Sequence, residues 1–226
     1  MIKGKTVLAV IPARGGSKGI KNKNIKSFCG LPLIAHTINQ AKKVKFIDQL
    51  VVSTDNEEIK KIALEYGAKV PFKRPKILSN DNATNIDVAL HAIEKLNSDI
   101  LILLQPTSPL RVSNDIVQSL KLLFNKKVKI VIGACKVKNY NYSFSLDQSG
   151  FISQPERLVG LSTNRQDHSE YFTVNGAIYT AFTDYFSEIK SFLTPYTYSY
   201  EMPLSRSVDI DDMTDWEFAK KVFIQK

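Results

Sequence analysis

Cysteine is nearly absent: Cys29 and Cys135 are the two that the 226 residues contain. With no metal-ligand spacing between them, a disulfide framework and a zinc site are both excluded, and the pair reads as buried thiols. Long apolar runs are missing too. None approaches the roughly 20 residues of a membrane helix. The apolar stretch behind Lys3 and Lys5 is short and runs into a charged glycine loop without an A-x-A-like cleavage site. A cytoplasmic protein with no membrane partner is expected. Histidine is scarce, with His36 and His91 in helical patterns that read as packing or surface residues, and His168 in a polar stretch where it could meet a ligand. No Ser-His-Asp arrangement can be assembled, and no RNP, zinc-finger or helix-turn-helix pattern is found.

What is present is positive charge. Lys and Arg number 31 against 22 Asp and Glu, a net charge of +9, which calls for anionic partners. The lysines are scattered along many segments rather than gathered in a stripe, which favours nucleotides and acidic sugars over nucleic acid. Hydrophobic residues at 43% and charged residues at 23% describe an ordinary globular chain, and the length suits a single domain over 1–226.

The chain is organised around Val7 to Phe28. A short β-branched and aliphatic run, read as a buried strand, ends at Pro12, Gly15, Gly16 and Gly19. The loop carries Arg14, Lys18, Lys21 and Lys23, so backbone N–H groups can approach an anion while cations surround it. A polyphosphate fits. The glycines spell neither G-x-x-x-x-G-K-[ST] nor G-x-G-x-x-G, so neither a P-loop NTPase nor a dinucleotide fold is indicated.

Strand and helix signals then alternate. A helix follows Pro32, Gln49 to Thr54 is a strand, Asp55 and Asn56 cap a helix stopped by Gly67, and Val70 to Phe72 is a brief third strand. Asn85 to Leu96 is a helix, Asp99 to Gln105 a central strand, Ser113 to about Phe124 a helix and Ile130 to Lys136 a strand. The pattern is that of a parallel, doubly wound α/β sheet with ligands at the strands' carboxyl ends. In the polar loop 73–85, Arg74 and Asn80 offer a guanidinium and an amide that suit the edge of a cytosine; a loop arginine paired with Asp81 is the plainer alternative. Asp209 and Asp211 flank Ile210, so an extended segment turns both carboxylates to one face, a place for Mg²⁺ against substrate phosphates. Thr214 and Glu217 form a capping box for a C-terminal helix. Lys138 to Glu170 is polar and aromatic without helical period and reads as short β segments leaving the main sheet.

Ala13-Arg14-Gly15-Gly16-Ser17-Lys18-Gly19 with Lys23-Asn24, Gln105-Pro106-Thr107-Ser108-Pro109-Leu110-Arg111, Asn175-Gly176-Ala177-Ile178-Tyr179 and Asp209-Ile210-Asp211 occur in that order. Together they resemble the motifs of the CMP-sialic acid synthetases, the acylneuraminate cytidylyltransferases. The resemblance covers most of the chain. It implies a three-layer α/β/α nucleotidyltransferase fold, Rossmann-like and mostly parallel, with residues 138–170 as a β-rich dimerisation insertion. It implies CTP and a nine-carbon 2-keto acid as substrates, Mg²⁺ as cofactor and a homodimer. By residue, it assigns CTP to Ala13, Arg14, Gly15, Ser17, Lys18, Lys23, Asn24, Arg74 and Asn80, although the family often has a small hydroxyl residue at the last position. The sugar falls to Gln105, Arg111, Arg165 and Asn175. Arg14, Lys23, Asp209 and Asp211 carry catalysis, the two aspartates as metal ligands. Legionaminic, pseudaminic and other ulosonic acids stay open as acceptors, and the Kdo-specific relatives fit less well because their first loop departs from this one. A non-catalytic nucleotide- or RNA-binding module would keep the lysines but would not need Asp209 and Asp211.

Overall fold

In the computed structural model, which describes residues 1–137, 148 and 170–225, one six-stranded sheet runs through the molecule. Second from one edge lies β1 (Val7–Pro12), paired in parallel with the edge strand β4 (Gln49–Ser53) and with β5 (Ile100–Leu103). Beyond β5 come β7 (Tyr171–Phe182), β6 (Ile130–Val137) and β8 (Thr197–Glu201), giving the order β4-β1-β5-β7-β6-β8. Only β7 runs antiparallel among these six.

Alternation along the strands explains the layers. Val7, Ala9 and Ile11 of β1 with Ile100 and Ile102 of β5 enter one core, shared with α1 (Leu33–Lys42), α2 (Glu57–Glu65) and α4 (Ser113–Leu122). Leu8, Val10, Leu101 and Leu103 enter the other, beneath α3 (Asn85–Lys95) and α5 (Thr183–Ile189). Successive side chains of a strand point to opposite faces, so a strand covered on both sides must be apolar throughout. The sheet is therefore sandwiched between helices, as expected.

A third, smaller core matters more for function. The C-terminal helix α6 (Met213–Ile224) sets Trp216 and Ala219 against Ile20, Phe28, Leu33, Val208 and Ile210. Phe28 lies at the tip of a two-stranded hairpin, β2 (Ser27–Phe28) with β3 (Leu31–Pro32), and meets the Trp216 ring edge-on at 5.2 Å. His36 packs in the same group and hydrogen-bonds the Phe28 carbonyl oxygen through Nε2 at 2.8 Å, so it is a packing residue. His91 lies edge-on to the ring of Phe72 in the neighbouring helix layer.

Two local expectations need correction. Val70 to Phe72 is no strand; pairing shrinks to one parallel bridge, Val51 with Lys69, because Pro71 has no N–H to continue the ladder. The C-terminal helix is capped not by Thr214 and Glu217 but by Asp212 and Asp215. Asp212 accepts from the N–H groups of Thr214 and Asp215 at 2.8 and 3.0 Å, and Asp215 accepts from Asp211 and Asp212. Charged carboxylates two residues earlier complement the helix N-terminus better. Of the expected insertion only Gln148 and Glu170 are described, so Tyr140, Tyr142, Phe144, Phe151, Arg165 and His168 lie outside the described residues; Lys136 pairs with Glu170 at its base.

Ile102, wholly buried in β5, tests the central strand. Ile102→Ala should destabilise the protein by about 2–5 kcal/mol through lost transfer energy and a residual cavity, read in urea unfolding. A loss well under the lower figure would mean that β5 is not packed on both faces.

Candidate active site

A cleft of about 700 Å³ opens where β1, β4 and β5 end. Its rim comes from the loop after β1, the 74–85 loop, the β5 tip and the 209–212 segment, the places from which parallel sheets present ligand groups.

The loop after β1 is held from below. The Ala13 N–H is spent on the Ser53 carbonyl at 3.0 Å, the Gly15 N–H reaches Asp55 at 3.0 Å, and Asn24 Nδ2 donates to the Arg14 carbonyl at 3.0 Å. Arg14, Ser17, Lys18, Lys23 and Asn24 line the cleft, whereas Ala13 is buried beneath it and Gly15 faces Asn56. Gly19 is required by contact: a Cβ there would collide with the carbonyl oxygen of Asp211. Lys23 Nζ crosses the same junction, donating to the Ile210 carbonyl at 2.6 Å and to Asp211 at 3.2 Å.

Asp81 occupies the space between the outer cations. Its carboxylate is 3.0 Å from Arg14 and 2.9 Å from Lys18, and those partners, Lys18 foremost, hold its pKa below the usual range. The carboxylate thus sits where an anionic ligand of the loop would go. Asp81 pairs with Arg14, not with Arg74. Arg74 is buried instead, with Nε on Ser53 Oγ at 3.1 Å and Nη2 on the Ser53 carbonyl, and still borders the cleft. Burial lowers its pKa to about 10, against which Asp55 pulls upward, so it stays charged at neutral pH. Asn80 lines the cleft, but its Oδ1 accepts from the N–H groups of Asn82 and Ala83 at 3.0 Å and so shapes the loop.

Of the residues expected at the sugar, Gln105 alone among those described lines the cleft. Arg111 lies away from the cleft lining: it is 1% exposed, with Nη1 on the carbonyls of Ala177 (2.6 Å) and Gln105 (3.2 Å) and Nη2 on Thr37 Oγ1 (2.7 Å). Donating to two main-chain oxygens and to Thr37, with Nε left without a partner among the described residues, the guanidinium ties the β5 loop to β7. Asn175 likewise lies away from the cleft lining. It is buried, donates to Ser207 Oγ at 2.9 Å and accepts from the Ala177 N–H at 3.1 Å. Its neighbour Gly176, at φ +72°, makes room for the Gln105 amide and for Asp209 Oδ2, which a Cβ would approach to 2.9 Å. Arg165 lies outside the described residues.

Asp209 and Asp211 both line the cleft while Ile210 is wholly buried between them, with its N–H on the Thr107 carbonyl at 2.8 Å. Asp211 is exposed. Asp209 is set deeper, and its Oδ1 is buried without a hydrogen-bond partner among the described residues. Burial, then the charges of Asp211 and Asp215, push its carboxyl pKa up, against a bond from Thr107 and the charge of Lys23. A buried oxygen with no donor is the environment a cation would complete. Among the described residues no group of three or more His, Cys, Asp or Glu could enclose an ion. A metal here would take further oxygens from a substrate, which suits Mg²⁺ beside phosphates.

Comparisons with known proteins show the family. A family model described as cytidylyltransferase matches residues 8–224. The chain is 32% identical over 226 residues to a pseudaminic acid cytidylyltransferase of Campylobacter jejuni, covering 96% of this chain and 95% of that enzyme. It is 34% identical to a CMP-N,N'-diacetyllegionaminic acid synthase of Legionella pneumophila, again over 96% and 95%. An N-acylneuraminate cytidylyltransferase of Escherichia coli is 33% identical across 94% of this chain and 51% of the longer enzyme. In shape, a CMP:2-keto-3-deoxy-manno-octonic acid synthetase complexed with CTP superposes with a TM-score of 0.75 at 18% identity, over 97% of this chain and 99% of that one.

The raised pKa of Asp209 has a consequence for stability. A carboxyl that holds its proton more tightly folded than unfolded makes the folded state lose stability as pH rises from about 3.9, the unfolded value, through the higher folded value. Asp209→Asn should therefore raise the Tm at neutral pH in the absence of metal, and the gain should vanish in acid. A lower Tm would show that the carboxylate is compensated in the free protein.

Removing the carboxylate between Arg14 and Lys18 gives a second test. Asp81→Asn should tighten nucleoside triphosphate binding by about two- to five-fold in calorimetry at low salt, shrinking as salt is added. Weaker binding would mean that Asp81 serves the nucleotide rather than competing with it.

Proposed function

The chain belongs to the cytidylyltransferase family, and we propose that it transfers CMP from CTP to a nine-carbon 2-keto acid sugar of the sialic, legionaminic and pseudaminic type. The observation that carries this reading is the opposition across one cleft of Arg14, Lys18 and Lys23 to the Asp209 carboxylate, whose Oδ1 has no hydrogen-bond partner among the described residues. A triphosphate needs the first group, and a phosphate-bridging cation needs the second.

The sugar's anomeric hydroxyl oxygen attacks the α-phosphorus, the bond to the β-phosphate oxygen breaks, pyrophosphate leaves and the hydroxyl proton passes to solvent. No covalent enzyme intermediate is required. Such chemistry rests on in-line positioning and charge neutralisation. Arg14 and Lys18 exchange Asp81 for the triphosphate. Lys23 turns from Asp211 toward the pyrophosphate that departs and stabilises its charge. Asp209 and Asp211 would hold Mg²⁺, which when bound neutralises phosphate charge and lowers the pKa of an adjacent hydroxyl. Arg74, fixed on Ser53, presents a rigid positive edge to the cytosine side of the cleft. Gln105, over Gly176, faces the acceptor.

A homodimer working in the cytoplasm completes the proposal, with segment 138–170 reaching the partner's acceptor site and Arg165 gripping the sugar carboxylate. Support comes from the aromatic character of that segment and from the resemblance.

Pyrophosphate release from CTP with a panel of ulosonic acids is the decisive assay. One nine-carbon acid should be turned over in a metal-dependent manner, and Asp209→Asn should lower kcat by two or more orders of magnitude, roughly 3 kcal/mol of barrier. Lys23→Ala should impair turnover whichever acid is offered. Release that ignores metal, or Asp209→Asn at parental rate, would overturn the reading.

A further inference from the structure

Asp115, in the first turn of α4, is fully buried yet accepts four hydrogen bonds: Val112 N–H at 2.9 Å, Tyr200 Oη at 2.9 Å, and Arg206 Nε and Nη2 at 3.1 and 2.8 Å. The Arg206 contact is bidentate, the geometry in which a guanidinium fixes direction as well as distance. Three pieces of chain meet there: the start of α4, the edge strand β8, and the 3-10 turn Leu204–Arg206. Three residues beyond Arg206 stands Asp209.

We infer that the Asp115–Arg206 pair positions the Asp209 carboxylate, by anchoring the turn from which segment 207–211 enters the cleft. Asp209 is repelled by Asp211 and Asp215 and has no donor on Oδ1, so by itself the segment would relax outward. Downstream it is pinned by the Ile210 N–H on Thr107 and by Lys23 on the Ile210 carbonyl. Upstream, Ser207 Oγ is joined to Asn175, and Arg206 supplies the one charged anchor, on a carboxylate that also faces buried Arg111. A buried ion pair is a weak source of net stability, and its better-attested use is to specify one arrangement among several. Asp115 and Arg206 do not touch the reacting atoms. They act through Asp209, and the inference rests on the reading of Asp209 as a cation ligand.

The test compares Arg206→Met, Arg206→Lys and Asp115→Asn with Asp209→Asn, each checked by circular dichroism and thermal melting. Mn²⁺ is titrated in the presence of CTP by electron paramagnetic resonance, and amide exchange is followed at Ile210 and, as control, at Val10 of β1. In Arg206→Met the Ile210 amide should exchange faster while Val10 does not, Mn²⁺ affinity should fall about 10- to 100-fold, and kcat should fall with the KM for CTP unchanged. Arg206→Lys should recover part of the Mn²⁺ affinity. A variant that is merely less stable would melt earlier but keep parental Mn²⁺ affinity per folded molecule. Folded Arg206→Met with parental Ile210 exchange and Mn²⁺ affinity overturns the inference. If Arg206→Met fails to fold, Asp115→Asn and Arg206→Lys carry the same two readouts. Parental Mn²⁺ affinity in Asp209→Asn would overturn the metal reading instead, leaving Ile210 exchange to decide on the anchor.

Discussion

Everything about the cleft depends on one close contact, the backbone of Gly19 against the carbonyl of Asp211. The loop that gathers cations and the segment that carries carboxylates are thereby locked together at main-chain level, where no rotamer change can separate them. The small core of Phe28, Leu33, Ile210 and Trp216 lies behind the contact and holds both sides. A site that must stabilise developing charge works best when its dipoles and charges need not reorganise during reaction. Here the reorganisation is confined to side-chain tips: Lys23 on Asp211, and Arg14 and Lys18 on Asp81.

Below that mobile layer sits a layer of charges with no such freedom. Arg74 and Arg111 are buried with backbone carbonyls as their partners, and Asp115 is buried with four donors. Taking an ion out of water costs several kcal/mol, and an arrangement of this kind persists only when each charge is hydrogen-bonded in a fixed geometry. The fold therefore treats its arginines in two ways. Arg14 stays at the surface, exchangeable, while Arg111 acts as a cross-link between the β5 loop and β7. Asp209, by contrast, keeps one buried carboxylate oxygen, Oδ1, with no donor among the described residues.

This division explains what could be read from the chain beforehand. β1 and β5 were legible because strands covered on both faces must be apolar without interruption, and the cation loop because glycines and lysines in that density have few other uses. The shared face of Asp209 and Asp211 followed from simple alternation about Ile210. What the chain does not reveal is where long polar side chains end. Arg111 and Asn175 belong to motifs that resemble sugar-binding ones, yet their termini are consumed by Ala177, Thr37 and Ser207, partners remote in sequence. Asp115 and Arg206 are 91 positions apart, and nothing local marks either as half of a pair. The helix cap was misplaced for a milder reason: Asp212 and Asp215 obey the same spacing rule as the pattern at Thr214 and Glu217, and the negative charge decided between them.

The relation between Asp81 and its two cations shows how an open cleft of this composition remains usable. Two clustered cations with nothing between them would repel one another and bind any passing anion. An internal carboxylate at 2.9–3.0 Å neutralises them in place. Because the pair is exposed, solvent screens it and its strength stays small. A triphosphate, with several charges, exceeds what one carboxylate offers, whereas a singly charged sugar acid does not. The exposed Asp81 thus gives the site a threshold of charge that an incoming ligand must surpass, and it does so without any movement of the sheet or of the Gly19–Asp211 contact.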